Sequence, residues 1–213
     1  DAILRDRIAS LLERAPTPGA ERKSLIKAED IYLFQTGMAS IYTVHQFLLS
    51  KFNATTILFG FAFHSTPHIF EDYGPGLKFF GLGDANDLVL IVDDTVGSFC
   101  NVDLLGSNGA DIVVSSLTKS FSGYADVMAA SAALNPSTAK YGELKALFTE
   151  KYVNRFYSGD AEVLEKNSRD YMERSATYNT NAETLVKYLQ SLVENEKSSV
   201  AKVYYPLTSP TLS

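Results

Sequence analysis

Two unbroken apolar runs constrain this chain more than any other feature. Residues 88–92 read LVLIV and residues 111–115 read DIVVS. A strand wet on one face alternates apolar and polar residues. One that is apolar at every position expects burial on both faces, as in a parallel sheet covered by helices. Each run ends in polar residues, Asp93-Asp94-Thr95 in the first and Ser116-Leu117-Thr118-Lys119 in the second. Residues 128–134 read as a third strand, built of small side chains. Residues 55–63 (TTILFGFAF) are too few, and too β-branched and aromatic, for a helix, and read as another strand. Phe79-Phe80 marks a further short one. Ile3, Leu4, Ile8, Leu11 and Leu12 share one side of a helix over residues 1–14, and Met38, Ile41, Tyr42, His45, Leu48 and Leu49 one side of a second. Strands alternating with helices give an α/β sheet, with active groups expected at the strands' carboxyl ends.

The punctuation fits this plan. The run APTPGAER (15–22) ends the first helix, since two prolines and a glycine cannot continue it. Asn135-Pro136-Ser137 reads as a helix start, with Ser137 the N-cap. A charge-laced helical tract spans roughly residues 160–196, with a break expected near Asn179 to Asn181. Residues 200–205 read as a strand opening another domain.

Composition closes off several classes. Of 213 residues, 46% are hydrophobic and 21% charged, which excludes a disordered chain, a collagen-like repeat and a disulfide scaffold. A net charge of −6 argues against a protein that coats phosphates, so no nucleic-acid partner is expected. The single Cys100 cannot form an internal disulfide, which suits a reducing compartment. No apolar run approaches the ~18 residues that would span a bilayer, and the charged first residues are unlike a signal peptide. A soluble, cytoplasmic protein without a membrane partner is the expectation.

Three pieces converge chemically. Thr36-Gly37-Met38 opens a helix, whose free N–H groups could hold a phosphate. Asp93 ends a buried strand. Ser116, Thr118 and Lys119 end the next, followed by Ser122-Gly123, so two hydroxyls and an amine surround a glycine-containing turn. In this order the pieces resemble the pyridoxal-phosphate-dependent enzymes of cysteine and methionine metabolism, the trans-sulfuration group, with the likeness strongest to the fungal cystathionine γ-synthase branch. The resembling segments are LFQTGMASIY (33–42), FGFAFHST (59–66), IVDDTVGSF (91–99), DIVVSSLTKSFSGYADVM (111–128) and LEKNSRDYMERS (164–175).

The resemblance implies a fold type I aminotransferase-like large domain, a mainly parallel sheet flanked by helices, with pyridoxal 5'-phosphate as cofactor. It implies that Lys119 forms the Schiff base and that Asp93 faces the pyridine nitrogen. Gly37 and Met38, with Ser116 and Thr118, would hold the phosphate. Phe63 falls where the family usually has a tyrosine stacked on the ring; a phenyl group can still stack, without the hydroxyl. The implied reaction is γ-replacement on an activated homoserine ester by cysteine, in a homo-oligomer. Family members carry some dozens of residues between pieces like GLGD (81–84) and IVDDT (91–95), including an asparagine loop at the cofactor. The implied chain is therefore shortened near residues 83–89, with a cofactor-binding core over 1–196 and the start of a missing C-terminal domain over 197–213. It also lacks the family's N-terminal arm.

Plainer readings stand beside these. Gly37 could serve only a tight helix entry. Asp93 is favoured as functional and Asp94 as a structural cap. Cys100 reads as a small core residue and His45 as a packed helix-face histidine. His64 and His68 are not at a metal site, because Pro67 breaks the helical spacing. A non-catalytic remnant, acting only in subunit association, and a related cystathionine lyase or homoserine sulfhydrylase are the alternative functions.

Overall fold

The computed structural model of the chain describes residues 1–13, 22–59, 62–80, 88–97, 99–106, 108–193, 195 and 197–206. The chain divides into two compact units, one of residues 1–169 and one beginning at Asp170.

The first unit is built on a four-stranded sheet. Its strands are β1 (Ile31–Phe34), β4 (Ile91–Asp93), β5 (Ile112–Ser116) and β6 (Ala130–Leu134), in the order β1-β6-β5-β4. β5 and β4 are parallel, whereas β6 runs antiparallel to both β5 and β1. β2 (Thr56–Phe59) and β3 (Leu77–Phe80) form a separate parallel pair. Helices α1 (Ala2–Leu12), α2 (Gly37–Phe52), α3 (Thr66–Asp72), α4 (Tyr141–Lys151) and α5 (Ser158–Asn167) complete this unit, and α6 (Tyr171–Val193) belongs to the second.

The core explains β6. Ala130, Ala132 and Ala133 are fully buried, and such small residues let large neighbours close over the sheet. On one face Phe34, Val44, Ile112, Val114, Leu144 and Phe148 join in a single cluster with Tyr32, whose ring stands 4.8 Å from that of Phe148. Burial raises the Tyr32 pKa to about 12. α1 buries Leu4, Ile8 and Leu12, a narrower stripe than expected, with Ile3 left 63% exposed. Arg5 donates to the Ile31 carbonyl at 2.7 Å, and Arg7 reaches Glu165 and Ser168 of the α5 end. Among the described residues no helix is long and apolar enough to cross a membrane.

Four expectations are corrected. The run 88–92 is not a strand buried on both faces: β4 covers only residues 91–93 and lies at the sheet's end, with Ile91 and Asp93 exposed. Its sequence is that of an interior strand, but among the described residues it pairs on one side alone. Ser137 does not cap a helix, since α4 begins at Tyr141. Its hydroxyl instead accepts the Lys23 N–H, while its own N–H goes to the Asn135 side chain in a local turn. The helical break falls at residues 168–170 rather than at Asn179 to Asn181, which lie inside α6. There the Ser168 side chain turns back to the Glu165 carbonyl and Arg169 N–H bonds the Lys166 carbonyl, a tightened ending. Residues 200–205 form no strand, having no partner strand among the described residues. Parts of the expected helix break (14–21), of the expected strand 55–63 (60–61), of the shortened region (81–87) and of the chain's end (207–213) lie outside the described residues.

Candidate functional site

The sheet register brings the predicted residues to one edge. Ala130, the first residue of β6, pairs with Phe34 on one side and Ser116 on the other, and Asp93 pairs with Val114. The carboxyl ends of β1, β4 and β5 therefore lie side by side. β1 runs directly into α2, whose N-cap Thr36 accepts the Ala39 N–H at 3.0 Å and, through its carbonyl, the Ser40 N–H. The first N–H groups of a helix have no intrahelical acceptor, and those of Gly37 and Met38 have none among the described residues. β5 comes close here: a Cβ at Gly37 would stand 3.2 Å from the Ser116 Cβ. The glycine thus permits α2 to begin against the end of β5. Two free N–H groups and the Ser116 hydroxyl at this contact suit a phosphate.

The paired acids at the end of β4 differ in surroundings. Asp93 is exposed, and its Oδ1 accepts both the N–H of Thr95 (3.1 Å) and its hydroxyl (2.6 Å). Asp94 is 4% exposed and its Oδ2 accepts the Phe99 N–H at 2.8 Å. Phe99 is held at φ 67°, in the left-handed region that a phenylalanine occupies only at a cost. Its ring is buried 5.8 Å from that of Phe121. At Gly97 a Cβ would sit 2.2 Å from the Asp94 carboxylate. Asp94 is thus built into a packed turn, as the structural reading of this residue had it, whereas the Asp93 carboxylate is open to a ligand.

Lys119 lies in the turn that follows β5. The N–H groups of Leu117 and Thr118 bond the Ala129 carbonyl, Ser122 N–H bonds the Leu117 carbonyl, and Gly123 N–H, at φ 82°, bonds the Lys119 carbonyl at 2.8 Å. The Lys119 side chain is exposed, and its amine has no partner among the described residues. The Thr118 hydroxyl accepts the Ala129 N–H and donates to the Ala129 carbonyl at 3.3 Å. Its one O–H is therefore spent within the turn, and in this arrangement it offers nothing to a phosphate. Phe63 is not joined to the group either. It follows β2, which pairs only with β3 among the described residues and apart from the main sheet, and it is 54% exposed, its ring tilted 53° to that of His64 at 4.4 Å.

Two residues escaped the sequence reading. Thr95 belongs by sequence only to a polar strand end, yet its hydroxyl also accepts the Ser116 N–H at 2.9 Å. Asn167, given no role, is buried at the end of α5 and donates to Ser122 (3.0 Å) and Asp126 (2.8 Å), bracing the Lys119 turn. A threonine two residues after a strand-end acid is the one local signal that could have pointed to the first. An open groove of about 500 Å³ between α1 and α5, lined by Asp1, Glu162 and Arg169 among others, is formed by none of these site residues.

The chain has close likenesses. The family model for Cys/Met metabolism PLP-dependent enzymes matches residues 78–211. The alanine racemase ungC of Aspergillus violaceofuscus is 34% identical over 96% of this chain and 43% of the relative. The cystathionine γ-synthase of Neurospora crassa is 30% identical over 92% and 39%, and that of Saccharomyces cerevisiae 32% over 84% and 38%. The chain thus spans under half the length of these curated relatives. The racemase match extends over 254 positions while using 96% of a 213-residue chain, so the relative carries some dozens of residues inside the matched region that have no counterpart here. In fold, the chain resembles the cystathionine γ-lyase from yeast (TM-score 0.53, 16% identity, 88% of this chain and 55% of that one) and metB from Corynebacterium glutamicum (0.53, 17%, 79% and 55%). The α/β sheet is that of the fold type I enzymes. With the family model covering most of the sequence and relatives above 30% identity, the chain belongs to the pyridoxal-phosphate-dependent enzymes of cysteine and methionine metabolism.

Proposed function

We propose that this chain is the cofactor-binding core of a trans-sulfuration enzyme, with Lys119 as the residue that carries pyridoxal phosphate. The observation supporting it is the meeting of three strand ends: the α2 N-terminus at Gly37, the Ser116 hydroxyl beside it, and the open Asp93 carboxylate. In this reading Gly37, Met38 and Ser116 hold the phosphate, and Thr118 joins them only by releasing the Ala129 carbonyl. Asp93 holds a proton on the pyridine nitrogen. Bound there, the cofactor supplies an electron sink for a substrate carbanion. The Lys119 amine, free of any ion pair among the described residues, takes up and returns protons at the substrate carbons. Phe63 stacks on the ring only if the β2–β3 side closes onto the site.

The reaction we assign is γ-replacement on an activated homoserine ester by cysteine, giving cystathionine, and the working form is a cytoplasmic homo-oligomer. Residues 1–196 make up the cofactor-binding core, and residues 197–213 begin a further domain that is expected to hold the substrate. Substrate positioning contributes ~7–11 kcal/mol to such reactions, so the 213-residue chain by itself should turn over little. The exposed edge of β4 favours a second reading, a core that binds cofactor and associates with longer subunits without catalysing.

The test is to incubate the chain with pyridoxal phosphate, reduce with borohydride and map the label. A pyridoxyl group on the Lys119 peptide supports the assignment, and label spread over surface lysines overturns it. An assay of the same chain with an activated homoserine ester and cysteine follows. Turnover of about one per second or faster excludes the non-catalytic reading, and equally the expectation that the 213-residue chain alone turns over little.

A further inference from the structure

We propose that Thr95 is a positioning residue of the cofactor site, holding the Asp93 carboxylate in one orientation and tying it to the strand end that carries Ser116. The proposal rests on the cofactor reading above. Asp93 ends an edge strand with its side chain exposed, so packing does not fix its rotamer. Hydrogen bonding does. Oδ1 takes two donors from one residue, the Thr95 N–H at 3.1 Å and the Thr95 hydroxyl at 2.6 Å. Oδ2 has no partner among the described residues, so it is the oxygen left for a protonated ring nitrogen.

The same hydroxyl is also an acceptor. It takes the Ser116 N–H at 2.9 Å, and Ser116 in turn packs against Gly37 at the start of α2. A hydroxyl has one O–H and two lone pairs, so both bonds form at once. Thr95 thereby links the group that would meet the ring nitrogen to the group that would meet the phosphate, at opposite ends of one ligand. β4 and β5 are also joined by their ladder, but that ladder sets only backbone spacing. The hydroxyl sets where the carboxylate points.

The experiment uses the 213-residue chain and pyridoxal phosphate. Thr95→Val removes both hydroxyl bonds at nearly constant volume, and Thr95→Ser keeps them. Loss of a hydrogen bond to a charged group corresponds to about a tenfold change in affinity. The valine variant is therefore expected to bind cofactor about tenfold more weakly, and to shift the pH dependence of the bound cofactor's visible absorbance. Thr95→Ser should stay within about twofold of the parent with its spectrum unchanged. Asp93→Asn should shift the absorbance in the same sense, and adding Thr95→Val to it should change little more, since a residue acting through Asp93 is not additive with it. If Thr95→Val does not fold, Thr95→Cys, of similar size and a poor donor, reads the same shift. A parent-like absorbance profile in the valine or cysteine variant, or effects that add fully to Asp93→Asn, overturns the proposal while leaving a Lys119 label intact. Failure of the parent itself to take the label at Lys119 removes the cofactor reading, and this inference with it.

Discussion

β5 and β4 carry nearly interchangeable sequences, IVVSS and IVD after LVL, and sit beside each other in register, yet they live in different surroundings. Ile112, Val113 and Val114 are at most 2% exposed, enclosed by β6, β4 and the helices. Ile91 is 36% exposed and Asp93 lies open to solvent. Composition records the neighbours a strand is suited to, and topology decides which of them it has. On the β5 side the two agree. On the β4 side, among the described residues, the apolar run faces an edge, and the next strands, β2 and β3, pair only with one another. The contrast runs through the candidate site, where Ser116 and Gly37 belong to the enclosed side and Asp93 to the open one.

The contrast can be broken by substitution. The largest effect is expected at Ile112, where truncation to alanine should cost about 3 kcal/mol in denaturant unfolding, because it removes fully buried side-chain volume. A loss below about 1 kcal/mol would mean that β5 is not the enclosed strand described. Next comes Asp94→Ala, expected to cost about 2 kcal/mol through the stranded Phe99 N–H and the released left-handed turn. Asp93→Ala should change stability by less than about 0.5 kcal/mol, as an exposed side chain does, while impairing cofactor binding. Equal stability losses at the two acids would erase the division of roles between them. Ile91→Ala should cost only about 1 kcal/mol, and a cost matching that of Ile112→Ala would show that something covers the β4 edge in solution.

The smallest effect concerns pH on the β2 side. His45 is buried in α2, with Nε2 3.0 Å from the Thr56 hydroxyl, and burial holds its pKa below 6.5. The unfolded chain then takes up this proton first, so this contribution is complete above pH 6.5 and is lost as the pH falls below it. A melting series from about pH 7.5 to about pH 5.5 should fall more steeply for the parent than for His45→Gln. Parallel slopes would show that His45 protonates freely in the fold.

What the sequence made legible was periodic or local. The 4, 8, 12 spacing of α1, the opening of α2 at Gly37 and the strands ending at Ser116 and Leu134 all follow from the side chains present. The roles expected for Asp94 and His45 were legible for the same reason. Direction and partnership were not. Nothing in ASAAL says that β6 runs against its neighbours, and nothing in LVLIV says that one side of it stays open. Local sequence suits the Ser137 hydroxyl to a helix cap, but its acceptor role is filled from residue 23, over a hundred positions away. Thr118 shows the same limit at the site, since its bond to Ala129 depends on where β6 starts. Of the residues proposed from sequence, Gly37, Met38, Asp93, Ser116 and Lys119 come to one edge of the sheet, and Phe63 does not.

A strand left open on one side among the described residues has a consequence for how copies of this chain meet. An edge strand is a template for pairing with another chain, and proteins commonly blunt it with short length, charge, proline or a bulge. β4 is only three residues long and ends in the exposed Asp93, with Val96 standing 93% exposed just past it. Two copies approaching at this edge also each carry a net charge of −6 and repel one another. That repulsion reaches only about 8 Å at physiological ionic strength and less in stronger salt. Salt shortens that repulsion, so pairing of copies along this edge is expected to rise with ionic strength.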